Sequence, residues 1–173
     1  MSHSESINEP SMERFLGRLC AISAGFGGIF LVALALMTLS SVIGRALFAH
    51  PIQGDVELVQ LGCAVCVASF LPYTQYKRAN IIVDFFTANA SERTQSWMDG
   101  LGTLILAISM GLVTWRLTLG GMTVKENGET SMLMAIPVWI PYFLMIPGLA
   151  LTTIVGIYQT IQYFSKAAKG VQA

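Results

Sequence analysis

Four long runs without a charged residue dominate the pattern of hydrophobic and polar positions along the chain. The runs cover residues 19–43, 58–76, 100–115 and 130–165. None of them alternates apolar and polar residues as the strands of a membrane barrel do. A helix of about 20 apolar residues crosses a hydrocarbon core of about 30 Å. The pattern therefore predicts an all-α integral membrane protein with four transmembrane helices.

The limits of the four helices follow from the polar and aromatic residues that flank the runs. Tyrosine and tryptophan concentrate at membrane interfaces, and here they lie close to the ends of the runs. The predicted spans are residues 17–43, 57–76, 97–119 and 138–163, within a single domain that covers residues 1–173.

The connections between the helices differ in character. The inner connection, residues 77–96, is strongly apolar at its centre, which predicts a short interfacial helix between helices two and three. Asn89 and Glu92 have the spacing of a capping box, so the third helix is expected to run from about residue 90 to 119. The stretch 120–129 contains three glycines and is predicted to be a polar outer loop.

Composition excludes several classes of protein. The chain has 173 residues, of which 54% are hydrophobic and 12% are charged, whereas soluble domains use about a quarter of their residues for charge. With a mean hydropathy of +0.62, the chain is neither an ordinary soluble domain nor a disordered one. Ten basic and ten acidic residues give a net charge of zero, so we expect no binding to nucleic acid.

Basic residues are distributed unequally between the two sides of the membrane. If the N-terminus is cytoplasmic, seven Lys or Arg residues lie inside and three lie outside. Because cytoplasmic segments carry the excess of basic residues, both termini are predicted to be cytoplasmic. The inner residues are Arg14, Arg18, Lys77, Arg78, Arg93, Lys166 and Lys169, and the outer residues are Arg45, Arg116 and Lys125.

The predicted spans carry no ionisable residue near their middles. Charges inside a membrane mark ion and substrate paths, and here all of them, including Arg116 near the end of helix three, fall at span ends. Both histidines, His3 and His50, lie outside the spans, so neither is placed to bind a haem between helices. We therefore expect no catalytic residue, no cofactor, no metal site and no transport site in this chain.

Two sequence patterns within the helices, the spacing of small residues and a C-x-x-C motif, can each be explained by packing or by a more specific role. Small residues recur four positions apart, most clearly at Gly148, Thr152 and Gly156, and they allow close helix packing within this chain or against a partner. Cys63 and Cys66 form a C-x-x-C motif, but no basic neighbour in this apolar helix would activate a thiol. Packing is the favoured role of these cysteines.

The start of the fourth run carries a distinctive arrangement of proline, tryptophan, tyrosine and glycine. Residues 136–148 read IPVWIPYFLMIPG. Upstream, Arg45 and Glu57 flank a proline-containing hairpin, and residues 77–84 read KRANIIVD. These motifs, in this order, resemble the small membrane subunit of tripartite ATP-independent periplasmic (TRAP) transporters, the DctQ type. The resemblance covers residues 12–165.

Two positions depart from the usual pattern of that family. Gln53 and Gly54 stand where the family often has a tryptophan, and Asn80 stands where it often has a histidine. The roles of those two family side chains are therefore not carried over to this chain.

The resemblance implies partners and a location. It implies a lipid-embedded protein of the bacterial cytoplasmic (inner) membrane that forms a complex with a large multi-span subunit, which carries the substrate and sodium sites. It also implies transient docking of a periplasmic substrate-binding protein, which delivers an organic acid and would touch the outer loops 46–56 and 120–129. The small subunit would brace the large one during sodium-coupled uptake and would not be an enzyme.

Residues of the matching motifs and of the small-residue stripe are candidates for structural or interface roles. We hypothesise that Arg45 and Glu57 pair across the outer hairpin and that Asp84 caps or anchors the interfacial helix. Pro147 removes a backbone hydrogen bond inside helix four, which predicts a bend. The outer end of that helix is expected to meet the large subunit. The candidates are Arg45, Glu57, Asp84, Pro137, Trp139, Pro141, Tyr142, Pro147, Gly148, Thr152 and Gly156.

Two alternatives stay open at the level of the sequence. The chain could be the membrane anchor subunit of another complex, which no residue excludes. It could instead be a four-helix quinone reductase that forms disulfides, although such an enzyme needs two cysteine pairs in outer loops. This chain has three cysteines, all on or near apolar helices.

Overall fold

The computed structural model describes residues 11–48, 53–78 and 92–169 of the chain. Within these ranges lie four helices, each long and apolar enough to cross a membrane. They are α1 (Ser11–Phe48), α2 (Asp55–Tyr76), α3 (Glu92–Glu126) and α4 (Trp139–Lys169). The prediction of an all-α membrane fold with four spanning helices is confirmed.

The predicted interfacial helix between α2 and α3 lies outside the described residues. The same is true of Asn89 in the expected capping box and of Asp84. No separate interfacial helix is seen in the part of the chain that the structure describes, so the roles of these residues stay predictions.

The third helix is longer than its pattern predicts. Because α3 continues to Glu126, the predicted polar loop from residue 120 onwards is wrong for most of its length. A methyl group on Gly121 would lie 3.2 Å from the Cβ atom of Tyr142 in α4. Glycine weakens a helix in water, but between membrane helices it lets two backbones approach. The connection itself begins at Asn127, and Gly128, with a φ of 66°, turns the chain.

The helices pack side by side in an open row and do not close into a bundle. Helix α1 packs against α2, α2 packs against α4, and α4 packs against α3. Helix α1 also touches α4 at one end, where Leu16, Cys20 and Val155 form a small buried cluster. Among the described residues, α3 contacts neither α1 nor α2. Helices α1 and α3 are therefore the two edges of the row.

Burial follows the order of the helices in the row. Only 11% of the most apolar window of α3 and 17% of that of α1 is buried inside the chain, against 33% for α2 and for α4. Large side chains such as Ile29 in α1 and Ile105 in α3 are exposed. The edge helices therefore present most of their apolar surface to lipid or to another protein.

Glycines bring the neighbouring helices of the row close together. A methyl group on Gly27 of α1 would lie 2.9 Å from the Cβ atom of Ser69 in α2. Gly148 of α4 lies against the backbone carbonyl of Ala68 in α2, and Gly156 of α4 lies against α3. Close packing of this kind is a main source of helix association in membranes, where lipid is as apolar as the helices.

Candidate functional site

The C-terminal end of α1 and the start of α2 are joined by an ion pair. The guanidinium group of Arg45 lies 3.6 Å from a carboxylate oxygen of Asp55, the first residue of α2. The hydroxyl of Ser41 donates a hydrogen bond to the same oxygen at 2.6 Å, and the N–H of Val56 donates to the other oxygen at 2.8 Å. The hypothesis that Arg45 pairs with Glu57 is wrong, because Asp55 at the start of the helix is its partner.

Glu57 instead holds the connection between α3 and α4. One of its carboxylate oxygens accepts a hydrogen bond from the N–H of Leu133 at 2.9 Å, and the other accepts from the N–H of Met134 at 3.3 Å. The connection has order of its own, since Thr130 and Pro137 form an antiparallel backbone bridge. A carboxylate that accepts two backbone N–H groups fixes the connection above the first turn of α2.

The proline–tryptophan pattern lies at the N-terminal end of α4 and contacts α3. The ring of Trp139, the first residue of α4, has its centre 5.3 Å from the ammonium of Lys125 and 6.0 Å from the ring centre of Phe143. A cation over an aromatic face is attracted by the ring quadrupole. Tyr142 packs against the glycines near the end of α3, and Pro141 is buried. Contact of these residues with a large subunit stays a prediction.

The middle of α4 provides the tightest contact in the row. Gly148 meets the backbone carbonyl of Ala68, which leaves no room for a side chain. The hydroxyl of Thr152 donates a hydrogen bond to the carbonyl of Gly148 at 2.9 Å. Pro147 is exposed beside this contact, and the helix continues through it. With Gly156 against α3, the small-residue stripe of α4 serves packing within the chain.

Buried amides join the C-terminal parts of α2 and α4, a contact that the sequence does not predict. The side chain of Gln75 donates a hydrogen bond to the side-chain carbonyl of Gln159 at 2.9 Å, and Gln159 donates to the backbone carbonyl of Gln75 at 2.9 Å. Nearby, Arg78 donates to Gln162 at 3.1 Å, and Gln162 donates to Glu13 of α1 at 3.5 Å. No sequence pattern links two glutamines that lie 84 positions apart.

Two glycines of α1, Gly25 and Gly28, differ from the small residues that pack between helices. Gly62, Gly111 and the α4 glycines all lie against a neighbouring helix. At Gly25 and Gly28, in contrast, an added methyl group would meet no atom within 4 Å. The internal explanation of the small-residue spacing therefore holds for α2, α3 and α4, while these two positions of α1 face outward.

The three cysteines take different positions in the row. Cys20 and Cys66 are buried and Cys63 is half-buried. Within the described ranges, no group of three or more His, Cys, Asp or Glu side chains is placed to hold a metal ion.

Arg116 lies further from the end of its helix than the sequence predicts, because α3 continues to Glu126. Arg116 belongs to the apolar stretch Gln95–Glu126 of α3. At 1.5 Å per residue it lies about 15 Å from the end of the helix. The sequence predicts a loop from residue 120 onwards and therefore places Arg116 close to the end of helix three. Its side chain is exposed.

Comparison with known proteins agrees with the motifs of the sequence. The family model for the DctQ component of tripartite ATP-independent periplasmic transporters matches residues 34–166. No curated protein and no solved structure matches the chain. The matched region includes all of α2 and α3 and most of α4, and thus most of the contacts described above. The chain therefore belongs to the DctQ family and is the small, non-enzymatic subunit of a TRAP transporter in the inner membrane.

Proposed function

We propose that the chain braces the large transport subunit of a TRAP transporter during sodium-coupled uptake of an organic acid, which a periplasmic binding protein delivers. Membership of the family implies partnership with other TRAP components. The observation that carries the bracing role is the open row of helices. A row with two uncovered edges offers wide apolar surfaces on which another membrane protein can pack.

A bracing role suits the described residues better than a transport role. A groove of about 730 Å³ lies between α1 and α4, and its lining, which includes Phe26, Phe143 and Leu151, carries no charged side chain. Paths for ions and acids through a membrane are marked by polar and ionisable groups. We therefore assign the substrate and sodium sites to the large subunit.

We further propose that both termini are cytoplasmic. In this orientation seven Lys or Arg residues lie on the cytoplasmic side and three on the outer side, and such an excess of cytoplasmic basic residues supports it. The connection between α3 and α4 then faces the periplasm. Met132 at its tip is 99% exposed, so this apolar side chain is our candidate for contact with the docked binding protein.

Co-purification and reconstituted uptake test the proposed function. The chain is expressed with a large TRAP subunit of the same genome, and the two are purified in mild detergent. Liposomes that contain both subunits, the matching binding protein and an inward sodium gradient are expected to take up one radiolabelled acid from a panel. The panel consists of dicarboxylates, 2-oxo acids and a sialic acid.

Liposomes with either membrane subunit alone, and liposomes without a sodium gradient, serve as controls and are expected to show no uptake. Uptake by this chain alone would overturn the bracing role. If no large subunit co-purifies with the chain, the proposed complex is wrong.

A further inference from the structure

The depth of Arg116 follows from the register between α3 and α4. The two helices are antiparallel, with Gly111 against Thr153 and Gly121 against Tyr142. Arg116 lies midway between the two glycines along α3. Its level on α4 is therefore midway between Tyr142 and Thr153.

That level lies within the helices of the row, well away from their ends. It coincides with Gly148, which lies on the carbonyl of Ala68 in α2. Along α2, Ala68 is about 20 Å from the first residue, Asp55, and about 12 Å from the last, Tyr76. The Cα atom of Arg116 thus lies at the same level along the helices as the contact between Gly148 and Ala68.

Arg116 belongs to an exposed stripe on the side of α3 that faces away from α4. Leu101, Ile105, Ser109 and Leu112 precede it at spacings of three or four residues, so the five side chains share one helix face. We call these five residues the α3 stripe. All of them are exposed, Ile105 by 63% and Leu112 by 58%. The glycines that contact α4 lie on the other side of the helix.

Nothing in the described part of the chain compensates the charge of Arg116. No carboxylate lies within ion-pair distance of its guanidinium group, and no aromatic ring lies under it. Two other arginines do have partners, because Arg45 pairs with Asp55 and Arg78 lies 5.0 Å from the ring centre of Tyr163. Arginine always carries its charge in proteins, and an uncompensated charge facing lipid is costly.

We infer that the α3 stripe docks a membrane-spanning helix of the partner subunit and that Arg116 pairs there with an Asp or Glu carboxylate of that helix. The inference rests on the proposed function, since the partner is the large TRAP subunit. Guanidinium and carboxylate match in charge and in their two-pronged hydrogen-bond geometry. Ser109 adds a small polar side chain, a common feature of helix interfaces in membranes. A lipid phosphate lies at the membrane surface, away from the level of Arg116.

Affinity measurements in lipid nanodiscs test the pairing. Arg116→Gln removes the charge, and Arg116→Lys keeps the charge but not the planar fork. Lys125→Gln is the matched control, because it neutralises another cation of α3 that Trp139 contacts within this chain. Removing one partner of a buried charge pair is expected to raise the Kd for the large subunit about 30-fold or more. The Kd of Arg116→Lys is expected to lie between those of Arg116→Gln and wild type. The Kd of Lys125→Gln is expected to equal that of wild type.

A photo-crosslinker gives a second measurement that leaves Arg116 in place. p-Benzoylphenylalanine at Leu112 is expected to form a cross-link to a helix of the large subunit that carries an Asp or Glu near the linked residue. Equal Kd values for wild type and Arg116→Gln, or cross-links from position 112 to lipid alone, would overturn the inference and leave the proposed function intact. A wild-type chain that binds no large subunit would overturn both.

Discussion

The buried pair of amides, Gln75 and Gln159, stabilises the contact between the C-terminal parts of α2 and α4. Replacing Gln159 by Met keeps the length of the side chain but removes its hydrogen bonds to Gln75 and to the backbone carbonyl of Tyr76. Gln75 is only 4% exposed. Water therefore cannot replace the acceptor that the side-chain amide of Gln75 loses.

The structure allows the size of this effect to be worked out. Three hydrogen bonds are lost, and hydrogen bonds between membrane helices contribute about 0.6 kcal/mol each. A buried polar group that loses its partner costs about 1–3 kcal/mol. Counted as three lost hydrogen bonds the effect is about 2 kcal/mol, and counted as an unsatisfied buried amide it is about 1–3 kcal/mol, so we expect Gln159→Met to lower the free energy of unfolding by about 2–3 kcal/mol. When Gln75→Met is added, both polar side chains are gone, and most of the loss is expected to be regained.

Reversible unfolding in mixed detergent micelles, followed by far-UV circular dichroism, measures the free energy of unfolding for wild type, both single variants and the double variant. Gln60→Met is the control, because this glutamine of α2 is exposed. Its free energy of unfolding is expected to equal that of wild type. The reasoning is refuted if Gln159→Met is as stable as wild type. It is also refuted if the double variant loses the sum of the two single losses.

Contacts elsewhere in the row give three further expectations. Gly148→Val should push α4 away from α2 and lower the free energy of unfolding by about 1–3 kcal/mol. Gly25→Val should leave the free energy of unfolding unchanged, because a Cβ atom added at Gly25 meets no atom within 4 Å. Equal losses in the same unfolding assay would contradict this. Glu57→Gln should speed hydrogen exchange at the amides of Leu133 and Met134, measured by mass spectrometry, because a neutral acceptor binds an N–H more weakly. Unchanged exchange would mean that the backbone bridge alone orders the connection. Replacing all three cysteines by alanine should leave uptake by the complete transporter intact, and a loss of uptake would restore a redox role.

The presence of four helices could be predicted because it depends on a local property, the length of each uncharged run. The end of α3 could not be predicted in the same way. Two adjacent glycines indicate a loop in water, but between membrane helices they provide a packing surface. Here Gly120 and Gly121 contact Tyr142 of α4, so they are packing residues of a helix and not a loop.

The pairing of polar side chains could not be predicted for a related reason. Arg45 is followed along the chain by two carboxylates, and the start of α2 at Asp55 determines which of them it meets. The carboxylate of Glu57 is occupied by the backbone of Leu133 and Met134, far away in the sequence. Such pairs depend on the arrangement of whole helices, and a single sequence does not contain that arrangement as a local pattern.

The polar groups of the chain distinguish the contacts of its own fold from the surface that it offers to a partner. Among the described residues, no buried side-chain nitrogen or oxygen lacks a hydrogen-bond partner. Gln75 and Gln159 at one end of the row, and Asp55 and Glu57 at the other, bond to neighbouring helices and connections. In a closed bundle, the free side of α3 would be covered by the chain itself. In the open row that side stays uncovered among the described residues, and the exposed charge of Arg116 is the one that the proposed pairing with the large subunit would compensate.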